Sequence, residues 1–213
     1  MDDELASFFD PYDYYQAMVS GNVGERLFHP ARLKLVRDIA PLAGRKILEV
    51  GAGSGCIALP LARAGHDVTA VEPSSESLAA LRANAQHLGV QVESVQADGR
   101  ALPFEDDSFD VVILASVVHI VPWPGRLLWE AERVCRRDGH LVVAGPWSKH
   151  PKSMLWLKRL LGGRAARRCQ RRFTRRGLEK WLMRSTYLGK RRDPLMGYLA
   201  TLWSPDRKPS NMP

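Results

Sequence analysis

The 213-residue chain predicts an α/β fold, a doubly wound and mostly parallel sheet with helices on both faces. Three observations predict it. Short apolar runs suited to strands buried on both faces alternate with stretches whose apolar residues recur at helical spacing. The first run opens directly into a glycine-rich turn, Lys46-Ile-Leu-Glu-Val-Gly-Ala-Gly-Ser-Gly-Cys56. Acidic residues then close the next two strands, at Glu72 and Asp98.

Each element has its own signal. Residues 1 to 22 carry Phe8, Phe9, Tyr12, Tyr14 and Tyr15, too many aromatics for a disordered tail. Glu25 to Ile39 reads as an amphipathic helix with Leu27, Leu33, Val36 and Ile39 apolar, ended by Pro41. Ile47, Leu48 and Val50 form the first strand. Ile57 to Ala64 is helix-like, and Pro60 inside it predicts a kink or a late start. Val68 to Glu72 is the second strand, closed by Pro73. Ser74 or Ser75 caps a helix running to His87, with Leu78, Leu81, Ala85 and Leu88 on one face.

Val90 to Ala97 alternates and predicts a third strand, and Phe109 to Ala115 is the fourth and most apolar. Gly125 to Arg137 predicts a helix burying Leu127, Leu128, Ala131 and Val134, ended by an Asp138-Gly139 turn. Leu141 to Ala144 is the fifth strand. Beyond it, helices are expected at Met154 to Leu161 and Thr174 to Met183, with strands near Tyr187 and at Gly197 to Trp203. No stretch is long enough for an interdomain linker. A single domain is expected over 1–213, with a helical cap at 1–45, a core at 46–145, a basic lid at 146–184 and C-terminal strands at 185–213.

Composition narrows the class. Cys56, Cys135 and Cys169 are far apart with no Cys-x-x-Cys, so neither a disulfide framework nor a metal site is expected. The acidic start lacks the layout of a signal peptide. The longest apolar run, Val111 to Val121, contains His119 and is too short to span a bilayer. A reduced, cytoplasmic protein is expected. The net charge of +8 is uneven: residues 151–192 hold fifteen Lys/Arg against Glu179, or +14, while the rest holds sixteen against twenty-two, or −6. Such a segment suits an anionic partner or a solvated face.

The chemistry starts at the turn. Gly51, Gly53 and Gly55 are spaced Gly-x-Gly-x-Gly, whereas a dinucleotide fingerprint would place its third glycine at Cys56. Glu49 beside the turn is a poor neighbour for a pyrophosphate but suits a positively charged ligand. Glu72, 21 residues after Gly51, can accept hydrogen bonds from both hydroxyls of a ribose. Asp98, followed by Gly99, suits the amino group of an adenine.

On these residues the chain resembles the class I S-adenosylmethionine-dependent methyltransferases, in particular the subgroup with the type 11 methyltransferase domain. The matching pieces are Glu49-Val-Gly-Ala-Gly-Ser-Gly55, Ala70-Val-Glu-Pro-Ser74, Ala97-Asp98 and Leu102 to Val112, then Glu130, Arg133-Val134 and Asp138 to Val142. They span roughly residues 40 to 145, and the ordered combination is far more specific than any one piece. Arg137-Asp138-Gly139 replaces the usual Pro-Gly-Gly, and Ser54 stands where threonine is commoner. The resemblance implies a Rossmann-like three-layer sandwich of seven strands, the last antiparallel and supplied by Gly197 to Trp203.

It also implies a cofactor, S-adenosyl-L-methionine, and a place for each part of it. Gly51, Ala52, Gly53 and Gly55 would underlie the methionine part, with Glu49 acting through its charge near the ammonium end. Glu72 and Pro73 would border the ribose, Asp98 and Gly99 the adenine, and the Ala115–Ser116 backbone the amino-acid moiety. Tyr15 or Tyr14 would fold over the sulfonium as a cation–π partner, or simply pack on the sheet. His119, just after the fourth strand, is the candidate general base, or else a residue that shapes the pocket. His29 and His150 are weaker candidates.

The acceptor is less legible. The basic segment could be a solvated face over an ordinary pocket for a small-molecule acceptor. It could instead face a membrane lipid or quinone precursor, or RNA, although Phe173 and Trp181 sit at core-facing spacings rather than among the arginines. A non-catalytic cofactor-binding protein and an NAD-linked reductase are the alternatives from other classes, and the glycine spacing opposes the reductase.

Overall fold

The computed structural model describes residues 32–146, 186–193 and 198–205, together with Leu178 and Leu182. It holds one seven-stranded sheet in the order β3-β2-β1-β4-β5-β7-β6. The strands are β1 (Lys46–Val50), β2 (Asp67–Glu72), β3 (Glu93–Gln96), β4 (Phe109–Ala115), β5 (Cys135–Pro146), β6 (Thr186–Asp193) and β7 (Tyr198–Ser204). The five N-terminal strands pair in parallel, and β7 runs antiparallel to both β5 and β6. The expected antiparallel strand at the C-terminus is therefore present. Helices α1 (32–39), α2 (Ala58–Arg63), α3 (Ser75–Leu88) and α4 (Pro124–Val134) flank the sheet.

The uninterrupted apolar runs reflect burial on both faces. On β4, Val111 and Ile113 join the cluster beneath α1, α2 and α3, with Leu35, Val36, Leu61 and Leu81. Val112 and Leu114 point the other way and pack with Leu127, Leu128, Ala131 and Val134 of α4, and with Leu178 and Leu182. Each such side chain contributes roughly 1.5–3 kcal/mol when fully buried.

Local signals explain most boundaries. Ser74 Oγ accepts from the Ser77 amide at 3.2 Å, and Gly89 closes α3 in the left-handed conformation at φ 63°. Helix α2 starts at Ala58, which leaves Pro60 in the first turn, where its missing N–H costs nothing. The late start, rather than a kink, is the outcome.

Three expected boundaries need correction. The third strand is only Glu93–Gln96, half exposed at the sheet edge. Helix α4 stops at Val134 rather than Arg137, and β5 begins at Cys135 rather than Leu141. Phe109 pairs with Cys135 but Val111 pairs with His140, so residues 136–139 bulge opposite Asp110. The Asp138-Gly139 turn lies inside a strand. A Cβ on Gly139 would stand 2.6 Å from the Asp110 carbonyl, so only glycine allows this approach.

A buried ion pair fixes the loop between β3 and β4. Glu130 Oε2 accepts from the Leu102 amide at 2.7 Å and from Arg133 Nη2 at 2.9 Å. Arg133 also donates to the Leu102 carbonyl at 3.0 Å, the Phe104 carbonyl at 2.7 Å and Asp106 at 3.0 Å. Burial tends to raise the Glu130 pKa, but the Arg133 and Leu102 hydrogen bonds outweigh it and hold the carboxyl below its usual range. Glu130→Ala would leave a buried amide without its acceptor and take from the Arg133 guanidinium one of its two carboxylate partners. The expected loss is roughly 3 kcal/mol, a fall in the thermal midpoint of about 6–12 °C; a melt within about 2 °C of wild type would refute the clamp.

Candidate functional site

The carboxyl ends of β1, β2, β3 and β4 converge on the glycine turn, the position at which open α/β sheets hold ligands. The turn begins at Gly51, whose φ is 75° and where a Cβ would stand 2.8 Å from Val117 Cγ2. Glycine here lets the segment leaving β4 lie against the turn. At Gly53, φ 55°, a Cβ would meet nothing within 4 Å among the described residues.

The turn's backbone donors point inward. The Gly51 and Ala52 amides both donate to the Val71 carbonyl, at 2.8 and 3.0 Å, and the Gly55 amide donates to the Ala52 carbonyl at 3.0 Å. The Gly53 amide donates to Glu72 Oε2 at 2.9 Å, and the Ser74 amide to Glu72 Oε1 at 3.1 Å. At the start of α2, the Ala58 amide donates to Glu49 Oε2 at 2.8 Å. Two carboxylates thus occupy the places where a dinucleotide-binding turn would offer amides to a pyrophosphate. The arrangement opposes an NAD-type ligand more strongly than glycine spacing alone.

Glu49 is 3% exposed. Burial pushes its carboxyl up to about 8, against the Ala58 hydrogen bond and the nearby Arg32 charge, which pull it down, while Glu72 adds to the rise. Burial also raises the Glu72 pKa, opposed by the Ser74 and Gly53 amides. Arg32, 8% exposed, reaches from α1 and donates through Nη1 to Ser116 Oγ at 2.9 Å. Ser116, at φ 62°, terminates β4 with its amide donating to the Ala144 carbonyl at 2.8 Å. That amide is engaged within the sheet, and the Ser116 hydroxyl is engaged with Arg32.

Arg32 was not singled out from sequence. Its signal is a cation on an apolar stripe, because Arg32, Leu35, Val36 and Ile39 share one helical face. A buried carboxyl and a buried guanidinium therefore act on one another electrostatically near the ends of the first and fourth strands. Together they suit the ammonium and carboxylate of an α-amino acid.

At the end of β3, Asp98 accepts from the Arg100 amide at 2.8 Å, and Arg100 Nη2 donates to Asp98 Oδ2 at 2.6 Å. Arg100 holds the Asp98 carboxyl below its usual range. It remains an ionised acceptor with fixed orientation. A Cβ on Gly99 would stand 2.6 Å from both Leu127 Cδ1 and Val50 Cγ1, so this glycine also serves close packing. Pro73 follows β2 beside Glu72. His119 is half-buried in the segment leaving β4. Tyr14, Tyr15, His29, His150 and residues 151–177 lie outside the described residues. Among the described residues, no group of three or more His, Cys, Asp or Glu could hold a metal ion, and no helix is long and apolar enough to cross a membrane.

Comparison with known proteins bears on the family and the fold. Residues 48–143 match the family model described as a methyltransferase domain. The chain is 37% identical over 108 residues to a phosphatidylethanolamine N-methyltransferase of Cereibacter sphaeroides, covering 50% of this chain and 53% of that one. It is 31% identical over 128 residues to a ubiquinone biosynthesis O-methyltransferase of Azorhizobium caulinodans, covering 54% and 51%. The chain thus spans about half the length of these curated relatives. The fold is similar to the magnesium protoporphyrin IX methyltransferase of Synechocystis PCC 6803 with bound SAH, at TM-score 0.71 and 16% identity over 95% of this chain and 99% of that one.

The buried acid carries a stability signature. An unfolded Glu49 ionises near 4.5 and the folded one near 8, so the folded state holds the extra proton between those values. Its contribution is fully present below about pH 4.5 and is lost as pH rises to about 8. Glu49→Gln keeps an oxygen for the Ala58 amide and removes the titration. Denaturant melts across that window should show a smaller loss of stability for the variant than for wild type; parallel curves would refute the assignment.

Proposed function

We infer that this protein, whose residues 48–143 are a methyltransferase domain of the class I S-adenosylmethionine-dependent kind, moves a methyl group from that cofactor to a small-molecule acceptor. One observation supports it most. The first turn has its amides satisfied by carboxyl and carbonyl oxygens, which leaves few amide donors for a phosphate at the switch point of the sheet.

Bound S-adenosylmethionine supplies an electrophilic methyl group. The residues present fit its parts. Glu72, steadied by two amides, would accept from the ribose hydroxyls. Asp98, oriented by Arg100, would accept from the adenine amino group. Glu49 would serve the ammonium and Arg32 the carboxylate. Gly53, with no Cβ, would let the ligand lie against backbone.

Placing a fixed carboxylate against the methyl donor's positive charge would favour the ground state, so rate enhancement rests on alignment and water exclusion. Orientation supplies roughly 7–11 kcal/mol in favourable cases. Our reading gives His119 the role of taking a proton from a hydroxyl or amine acceptor, a contribution of about 10²–10⁴-fold. The acceptor atom is O, N or C. A lipid acceptor is the second reading, favoured by similarity to an enzyme named for phosphatidylethanolamine.

Calorimetric titration separates these assignments. S-adenosylmethionine is expected to bind and NAD to give no heat; tight NAD binding would reverse the reading. Glu72→Ala and Arg32→Ala should each weaken cofactor binding by about tenfold or more. Between pH 6 and about 7.5, affinity should rise with pH, because the cofactor's ammonium favours ionised Glu49 and a proton must leave. Glu49→Gln should abolish that slope. His119→Ala should reduce turnover at least about 10²-fold with unchanged cofactor affinity, and near-normal turnover at every pH would exclude a base role.

A further inference from the structure

Trp123 is 76% exposed, the most exposed large apolar side chain among the described residues. Its backbone is left-handed, φ 60° and ψ 56°, a conformation a bulky residue adopts only when its surroundings impose it. Pro122 and Pro124 flank it, and both rings fix their own φ. Pro124 also biases the preceding residue toward extended backbone, away from the conformation observed. The Trp123 carbonyl accepts from the Arg126 amide at 3.1 Å as α4 begins. Ile120, Val121, Pro122 and Pro124 are half-buried around it. A stiff loop therefore holds an indole in water, at the end of the sheet where the site lies.

Cations share that end. Ala115, the last residue of β4, is level with Ala144, Ala144 with Ala200, and Ala200 with Arg191. Exposed Lys190 and Arg191 on edge strand β6 thus stand at the height from which the Trp123 loop departs. They are three strands away, about 14 Å. Arg126 on α4, 57% exposed, lies over the Trp129 ring at 4.5 Å. The chain leaves β5 at this end after Pro146 and enters the segment that carries +14 over residues 151–192.

We propose that the carboxyl end of the sheet docks on an anionic lipid bilayer, with Trp123 entering the interfacial layer and the cations facing the headgroups. Tryptophan favours that layer because its ring is apolar and its N–H polar. Clustered Lys and Arg add attraction to anionic lipid over a Debye length. RNA fits less well, since single-strand binding needs aromatics interleaved with the cations as a stacking platform, and among the described residues the Trp123 loop is three strands from Lys190 and Arg191. The docking surface goes beyond the methyl-transfer reading, and its test needs no turnover.

Flotation of the full chain with phosphatidylcholine vesicles, with and without phosphatidylglycerol, tests it. Binding is expected only to the anionic vesicles and should weaken as salt is raised. Trp123→Gly, which keeps the left-handed backbone, should weaken vesicle binding at least about fivefold while the thermal midpoint and cofactor titration stay at wild-type values. If that variant melts early, Trp123→Asn serves the same purpose, because asparagine also tolerates this conformation. Lys190→Glu with Arg191→Glu should weaken binding too. Absence of binding to anionic vesicles, undiminished binding by the folded Trp123 variant, or preference for an RNA oligonucleotide over vesicles would each overturn the proposal.

Discussion

The site depends on two carboxylates held by backbone amides. Glu72 bridges the Gly53 and Ser74 amides, and so joins the turn after β1 to the turn after β2. Glu49 fills the first open amide of α2 from beneath. A buried carboxyl is costly unless its oxygens are engaged, and here engaging them also defines the turn. With the local donors used this way, the cradle presents carboxyl oxygens rather than free amides beside Gly53. That one constraint separates this site from phosphate-binding turns on otherwise similar sheets.

Other contacts hold the rest in register with that cradle. Arg32 ties α1 to the end of β4 through Ser116, and its charge opposes part of the burial effect on Glu49. The Glu130–Arg133 pair binds the carbonyls and amide of the loop that follows Asp98. These two arginines are alike in being fixed between elements far apart in sequence. They differ in what faces them: Arg133 is enclosed by loop carbonyls and acids, whereas Arg32 lies beside the ligand end of the sheet. This difference leaves Arg133 holding a loop and sets Arg32 against Ser116 at the end of β4.

The fold is shared with a solved methyltransferase at low sequence identity, as expected when a scaffold persists while loops vary. Two segments bear on access to the site, the one after β4 and the one after β5. Both leave the sheet at its carboxyl end. An acceptor and any surface that presents it must approach there, since α1 to α3 cover one face of the sheet and α4 the other.

The sheet, its strand rhythm and the acids at Glu49, Glu72 and Asp98 were legible in the chain itself. Apolar runs, a glycine turn and carboxylates at strand ends are local patterns, and locality is what a linear sequence preserves. Ser74 as a cap and the antiparallel strand at the C-terminus were legible for the same reason and by resemblance. The bulge at 136–139 was not, because its cause is the Asp110 backbone on a neighbouring strand. Arg32 was also missed, because its partner Ser116 is 84 residues away. Tertiary structure alone decided that the turn's amides face inward, since a hydrogen bond's direction depends on where the chain returns, and composition does not record that.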